Sequence, residues 1–386
     1  MGDSVTGLAI LGSTGSIGRQ TLEVVRSLRP RFRVVALAAG HNVTLLEEQA
    51  KEFSPQLIWA DREADYLRQK TVWGLIPARW TPMEEMAAHP DVDIVVVATA
   101  GKAGLLPTLA AVKADKALAL ANKEVLVMAG HLVVAEARLH QADLRPVDSE
   151  HSAIWQCLWG EDRKNIARII LTGSGGPFRD QPLDELERVT PEQALRHPTW
   201  QMGHKITVDS ATLLNKGLEA IEAHWLFGVP FDKIEVVLHR ESIIHSLVEF
   251  CDGSIKAQLG MPDMRLPIQC ALTYPQRLPM GRPKRLDLGR FGSLSFCQPD
   301  PRRFPCLGLA LEAGRRGGTF PAVMAAADEV AVDHFLGGHI TFLDIAKVIE
   351  ATLSAHPGVS DPSLEEVLAA DTWARQWAED WLRAKA

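Results

Sequence analysis

The sequence has no surplus of positive charge: 41 Lys and Arg face 48 Asp and Glu, for a formal net charge of -7. With no basic tract either, this argues against a nucleic-acid surface and for work on a small molecule. Cysteine is scarce, five in all and none in a C-x-x-C pair, so reduced core thiols are expected and a disulfide framework is not. Nothing approaches 18 uninterrupted apolar residues, so no membrane-spanning helix is expected. The opening "MGDSVTGLAILG" lacks a basic n-region and its apolar run is too short for a signal peptide, which points to a cytoplasmic protein without a membrane partner. Internal repeats and low-complexity segments are also missing.

What remains is an ordinary globular mixture, 46% hydrophobic and 23% charged, in 386 residues, enough for two or three domains. Over residues 1–150, short apolar runs such as "GLAILG", "RVVALAAG", "DIVVVATA" and "KALALANK" alternate with amphipathic stretches such as "QTLEVVRSLR". That rhythm predicts βαβ units and a Rossmann-like parallel sheet. Residues 151–277 read as α+β, with strands in "ARIILTG", "KIEVVLH", "SLVEFCD" and "SIKAQLG" around a helix near 210–227. Residues 278–318, rich in Pro, Gly and Arg, read as a long connection, and 319–386 as a C-terminal helical bundle. The fold class is therefore α/β in its N-terminal part, followed by a mixed domain and helices.

"AILGSTGSIGRQTLEVV" leads from a strand through Gly12, Gly15 and Gly18 into a helix starting near Ile17. Glycines there allow a tight turn, and the first N–H groups of a helix suit a pyrophosphate. The spacing departs from G-x-G-x-x-G, but its place in the first βαβ unit favours a dinucleotide. The end of the second strand, "ALAAGHNV", offers no carboxylate to a ribose 2'-hydroxyl and does offer His41, which leans toward NADPH.

"PVDSEHSAIWQ" raises a sharper question, because it crowds Asp148 and Glu150 around one serine. On an extended segment both would point to one side. With Glu219 they would form an all-oxygen set suited to Mg2+ or Mn2+. The alternative is that the two acids cap the next helix and Glu219 is solvated. Ser174, Ser210, Asn215 and Lys216 carry the right donors for a phosphate, or else serve as caps and loop hydrogen bonds. Asp209 or Ser210 is placed to cap the helix bearing Asn215 and Glu219. "HPTWQMG" is either a lid or a surface loop.

Together, "GSTGSIG", "ALANKEVLV", "PVDSEHSAIWQ", "LTGSGGPF", "HPTWQMGHKITVDSATLLNKGLEAIEAHWLF" and "MPDMRLPIQCAL" closely resemble the 1-deoxy-D-xylulose 5-phosphate reductoisomerase family over nearly the whole chain. The resemblance implies that Thr14, Gly15, Ser16, Ile17, Gly40, His41, Asn42, Asn122, Glu124 and Gly203 bind NADPH. It implies that Asp148, Glu150 and Glu219 hold the divalent metal. Lys123, Ser149, Glu150, Ser174, His197, Trp200, Ser210, Asn215, Lys216 and Glu219 would hold the substrate, a phosphorylated ketose, with Met202 and Met264 adding apolar walls. Lys123, His197 and the three carboxylates would carry the chemistry, and 151–277 would also mediate a homodimer. His41 departs from the Lys or Arg common in the family. The implied reaction is an isomerisation by C3–C4 cleavage and rejoining, then reduction by NADPH. Two other classes stay open on the residues alone: a different NADP-dependent aldehyde or semialdehyde dehydrogenase, and a non-catalytic NADP-binding regulator.

Overall fold

The computed structural model describes residues 5–61, 78–200, 202–281 and 283–385. Gln201 of the expected lid lies outside them. The chain divides into two compact units. The first comprises Met1–Val125, Val133–Ser152 and Asp263–Lys284; the second comprises Leu126–Leu132, Ala153–Pro262 and Arg285–Ala386.

In the first unit seven strands, β1 (Thr6–Leu11), β2 (Phe32–Ala39), β3 (Leu57–Ala60), β4 (Arg79–Trp80), β5 (Ile94–Val97), β6 (Ala117–Leu120) and β7 (Leu144–Pro146), form one sheet. Its order is β4-β3-β2-β1-β5-β6-β7 and every pairing is parallel. Runs such as "IVVV" in β5 are buried along their full length because helices cover both faces of such a sheet, so they read as continuous apolar stretches and not as alternation. The strand order reverses between β1 and β5, and the crevice beyond their carboxyl ends is the usual place for a ligand in this architecture. The glycine turn leaves β1 at that point.

The second unit contains a four-stranded sheet of β8 (Ile166–Gly173), β9 (Ile234–Leu238), β10 (Ile244–Phe250) and β11 (Ile255–Leu259), ordered β11-β10-β8-β9. Apart from the parallel β8–β9 pair it is antiparallel. Helices Phe320–Leu336, Asp344–Ala355 and Leu364–Lys385 share a core with Val208, Ala211, Leu214 and Leu218, so the expected C-terminal bundle is also the support for the segment rich in site residues.

Several expectations change. The helix expected over 210–227 is two, His204–Thr212 and Leu214–Phe227, separated by Leu213 at φ +60°. Asp209 and Ser210 therefore lie inside a helix and cap nothing. The stretch 278–318 includes the Pro305–Arg316 helix, whose Cys306, Leu307, Ala310 and Ala313 are buried. Residues 263–284 return to the first unit, beyond the boundary expected at 277. β7 stops at Pro146 and a helix runs from Ser149 to Cys157, so Asp148 and Glu150 do not sit on one strand. Cys157 and Cys306 are core thiols as expected, but Cys251 and Cys297 are exposed.

The glycine turn is set by contact. A Cβ on Gly18 would stand 2.3 Å from the Gly12 carbonyl oxygen and 2.5 Å from Ser13 Cα, whereas one on Gly15 would meet nothing closer than 3.3 Å. Gly18→Ala should therefore cost about 1–3 kcal/mol of stability through enforced backbone movement and weaken dinucleotide binding at least about tenfold, with Gly15→Ala much milder in the melt. Thermal unfolding and a fluorescence titration with NADPH check this, and equal effects from both substitutions would refute it.

Candidate active site

Gly12 adopts φ +93°, and a Cβ there would lie 2.3 Å from the Ala98 carbonyl oxygen at the end of the β5 segment, so only glycine lets the turn lie against β5. The Ser16–Ser27 helix that follows has Gly15 at its N-cap, no side-chain cap and no acid in its first turn. Its leading N–H groups and positive dipole end remain available to an anion, which fits the pyrophosphate of a dinucleotide. Thr14, Gly15, Ser16 and Ile17 all lie on this turn. At the end of β2, Asn42 caps the Val43–Phe53 helix by accepting from the Leu45 N–H at 3.1 Å, and Gly40 has open space around it. His41 is 79% exposed and its Nδ1 lies 3.6 Å from Asp61 Oδ2, just beyond β3. That carboxylate was not among the residues the sequence singled out.

Asn122 behaves differently from a ligand-facing amide. Its Oδ1 accepts from the Val125 N–H at 3.1 Å, and its Nδ2 donates to the carbonyls of Thr99 at 2.9 Å and Gly101 at 2.8 Å. The side chain thus fixes the loop after β5, while Glu124 lies in the first turn of the Lys123–His140 helix. Gly203 is at the N-cap of the His204–Thr212 helix in the second unit, with open space where a Cβ would be. Met264 packs on the first unit's core at the head of the Arg265–Thr273 helix.

The carboxylates of the first unit sit where β7 gives way to a helix. The Asp148 carbonyl accepts the Ser152 N–H at 2.8 Å, so Asp148 begins the turn. Its Oδ2 lies 2.7 Å from Lys123 Nζ, and both side chains are largely buried. Ser149 Oγ donates to Glu150 Oε2 at 2.5 Å. A carboxylate oxygen of Asp148 and one of Glu150 lie within 4.8 Å of each other. Two hard oxygen donors this close, with the Lys123 ammonium beside one of them, suit a small divalent cation.

In the second unit Glu219 is 1% exposed, and both of its oxygens are held from its own helix. Asn215 Nδ2 donates to Oε1 and Lys216 Nζ to Oε2, each at 2.5 Å. The Lys216 ammonium compensates this buried carboxylate, whose oxygens are of the kind a hard cation takes.

Beside it is a cluster of neutral donors. Ser174 Oγ and Ser210 Oγ lie 3.0 and 3.1 Å from His197 Nε2. His197 Nδ1 accepts the N–H groups of Thr199 at 3.1 Å and Trp200 at 2.9 Å, so the ring's proton is on Nε2, facing the two hydroxyls. Burial, helped by the charges of Arg179 and Lys216, lowers the His197 pKa to about 4. Ser174 comes so close because the glycines around it have no side chains: a Cβ on Gly176, at φ +67°, would lie 2.6 Å from the Ser210 carbonyl oxygen. Two hydroxyls, an imidazole N–H and a nearby ammonium make a phosphate-holding set. Trp200, the aromatic of the expected lid, stands 6.3 Å from the His245 ring. Arg179, whose Nη1 donates to the Ser174 carbonyl at 2.8 Å, and His245 were missed. Arg179's position directly after "GSGGPF" was the available signal; His245, inside β10, carried none.

Three family models match: 1-deoxy-D-xylulose 5-phosphate reductoisomerase over 8–130, its C-terminal domain over 144–227, and the DXP reductoisomerase C-terminal domain over 259–377. The chain is 55% identical over 373 residues to the 1-deoxy-D-xylulose 5-phosphate reductoisomerase of Pelotomaculum thermopropionicum, covering 95% of this chain and 96% of that one. The chain belongs to the 1-deoxy-D-xylulose 5-phosphate reductoisomerase family. The family's enzyme from Heliobacterium modesticaldum is 54% identical over 379 residues, 97% of this chain and 96% of that one. Among solved structures, the enzyme from Zymomonas mobilis in complex with NADPH superposes with a TM-score of 0.92 at 43% identity, over 98% of this chain and 99% of that one. A DOX-P reductoisomerase in complex with NADPH, fosmidomycin and magnesium gives 0.91 at 40% identity, over 98% of each chain.

The His197 geometry sets the sign of a pH effect. Its folded-state pKa is below the ordinary 6.5, so its contribution to stability is complete above about pH 6.5 and is lost as pH falls toward about 4. Its ring should show no protonation by NMR between pH 7 and about pH 5. His197→Gln should reduce the acid-side loss of stability measured by denaturant unfolding, and a ring that titrates near 6.5 would contradict the arrangement.

Proposed function

We propose that this chain converts 1-deoxy-D-xylulose 5-phosphate to 2-C-methyl-D-erythritol 4-phosphate for non-mevalonate isoprenoid synthesis, using NADPH and Mg2+ or Mn2+. The observation that carries the reading is the Ser174–His197–Ser210 donor cluster on the same unit as the Lys216–Glu219 pair, in a chain of this family. The cluster and Lys216 hold the phosphate end of the ketose. Asp148, Glu150 and Glu219 hold the cation, which supplies Lewis-acid stabilisation of developing enolate charge. Asn215 and Ser149 orient substrate hydroxyls, and Lys123, poised on Asp148, donates to the oxygens that gain charge during C3–C4 cleavage and rejoining. NADPH supplies the hydride that reduces the resulting aldehyde. The Gly12–Gly18 turn holds its pyrophosphate, Gly40, His41 and Asn42 face its 2'-phosphate, and Glu124 and Gly203 complete its site. Trp200, Met202 and Met264 exclude water from the reacting atoms.

Among the described residues no helix is long and apolar enough to cross a membrane, which is consistent with the cytoplasmic location we infer. The homodimer is inferred from the family. A simple aldehyde dehydrogenase on the same dinucleotide domain would have no use for three oxygen ligands alongside a phosphate-holding cluster.

NADPH oxidation with 1-deoxy-D-xylulose 5-phosphate, followed optically, should proceed with Mg2+ or Mn2+ and stop with a chelator. Chelator-resistant turnover would point to the simpler dehydrogenase, and dinucleotide binding without turnover to a regulator. Glu219→Gln should cut turnover at least about a hundredfold, with NADPH binding retained; a near-normal rate rules out the ligand assignment.

Cofactor choice gives a second test. The Asp61 carboxylate, 3.6 Å from His41 Nδ1, repels a 2'-phosphate placed beside that histidine. Asp61→Asn and His41→Lys should each raise the preference for NADPH over NADH by about threefold to fivefold, as expected of exposed charges. Unchanged affinity ratios in both variants would place the selection elsewhere on the loop.

A further inference from the structure

Behind the phosphate-holding cluster lies an ion triad that the reaction does not use. Lys205 Nζ lies 2.7 Å from Asp209 Oδ2 and 2.7 Å from Asp328 Oδ2. Asp209 is 2% exposed and Asp328 is fully buried, with Cys306 beside both and Thr212 next to Cys306. Lys205 and Asp209 are one turn apart on the His204–Thr212 helix, so they share a face. Asp328 lies in the middle of the Phe320–Leu336 helix. We propose that Lys205, Asp209 and Asp328 are positioning residues for Ser210: the triad fixes the rotation of the His204–Thr212 helix about its own axis, and with it the placement of the phosphate-holding hydroxyl. The proposal rests on reading Ser174, His197 and Ser210 as the phosphate subsite.

The triad is a poor stabiliser. Two carboxylates face one ammonium, one oxygen of Asp209 and both oxygens of Asp328 lack a well-formed hydrogen bond although Asp328 Oδ2 is at ion-pair distance from Lys205, and burial together with the neighbouring Asp209 charge holds the Asp328 carboxyl well above its usual range. Replacing a buried ionic cluster as a whole by well-packed apolar residues of similar volume is often neutral or favourable to stability. Position is what the arrangement delivers. Ser210 follows Asp209 by about 100° around the helix, so pinning Lys205 and Asp209 to Asp328 determines where its Oγ points. A roll of about 20° would move an atom roughly 3–4 Å from the axis by about 1 Å, enough to break the 3.1 Å contact between His197 and Ser210. On another side the Gly173–Gly176 turn lies against the backbone at Ser210, where a Gly176 Cβ would meet the carbonyl oxygen at 2.6 Å. The helix is held between that turn and the triad.

The test separates stability from placement. In D328A, Tm should stay within about 3 °C of wild type or rise, because truncation leaves the Lys205–Asp209 pair balanced. KM for 1-deoxy-D-xylulose 5-phosphate should rise at least about tenfold with kcat within about threefold. The affinity for inorganic phosphate, read from the His197 ring signals by NMR, should fall by a similar factor. D328N keeps a hydrogen-bonding side chain of the same size and should restore KM to within about threefold. In a cycle with S210A, the double variant should lose little more than S210A alone, because Asp328 acts through Ser210.

An unchanged KM and phosphate affinity in D328A overturns the proposal. So does a fall in Tm well beyond about 3 °C accompanying the rise in KM, or full additivity with S210A, either of which makes the triad a structural tie only. A wild-type protein that ignores the ketose phosphate but still binds phosphate at His197 would defeat the functional reading while leaving this test intact, since the phosphate readout needs no turnover. Phosphate that leaves the wild-type His197 signals unmoved overturns both.

Discussion

A carboxylate taken out of water must meet a cation or a proton, and the arrangement of this protein follows from how that demand is met. Asp148 has Lys123, Glu219 has Lys216, and Asp209 with Asp328 has Lys205. In the bundle, buried Asp371 has Arg375, which also reaches Glu329 at 2.7 Å. Three of these bases lie one turn from their acid on the same helix, the spacing at which side chains stack. The Phe320–Leu336 helix carries Asp328 and Glu329 side by side, one engaged by Lys205 and the other by Arg375. It therefore links the helix bearing Ser210 to the last helix of the chain through charge as well as through its alanine-rich packing face. Net charge gives no hint of this, because the acids that matter are compensated locally.

The second constraint is the close approach of backbone to backbone, which only glycine permits. Gly12 and Gly18 let the dinucleotide turn fold onto itself and onto β5, and Gly176 lets the segment after β8 run against the helix backbone at Ser210. In both units a strand ends, a glycine turn passes close to other backbone, and donors are left facing outward. Ion pairing then fixes the elements so placed. Neither device alone would put Ser174, His197 and Ser210 within hydrogen-bond reach of one another.

Much of this was legible in the sequence. Apolar runs alternating with amphipathic ones point to the parallel sheet, because burial on both faces leaves that signature, and the helical bundle expected over 319–386 consists of the helices Phe320–Leu336, Asp344–Ala355 and Leu364–Lys385. What local pattern could not give was anything set by distant contact. A helix at 204–212 separated from the next by one residue at φ +60° looks continuous, because leucine does not announce that conformation. The helix at 305–316 was hidden by the Pro, Gly and Arg around it. The return of 263–284 to the first unit has no local signature, and neither does the partnership of Asp328 with a lysine more than a hundred positions earlier. The acid pair at 148 and 150 was read with the wrong local geometry: the strand ends first, and the two carboxylates approach each other across a helix start.

The site residues of the second unit also explain why its charges are arranged as they are. Both oxygens of Glu219 are engaged from its own helix, by an amide and by the ammonium of Lys216, and that ammonium is close enough to His197 to help hold the ring neutral. Lys216 is thus shared between the carboxylate proposed as a metal ligand and the cluster proposed to hold phosphate. When positive charge is supplied to Glu219 from elsewhere, less of the ammonium's field is spent on that carboxylate and more falls on the phosphate cluster. Linkage then requires the reverse, that an anion drawing on Lys216 leaves Glu219 less compensated and more attractive to a cation. The histidine beside the ammonium is neutral in this arrangement. Burial, and the two backbone N–H groups that occupy Nδ1, keep it neutral.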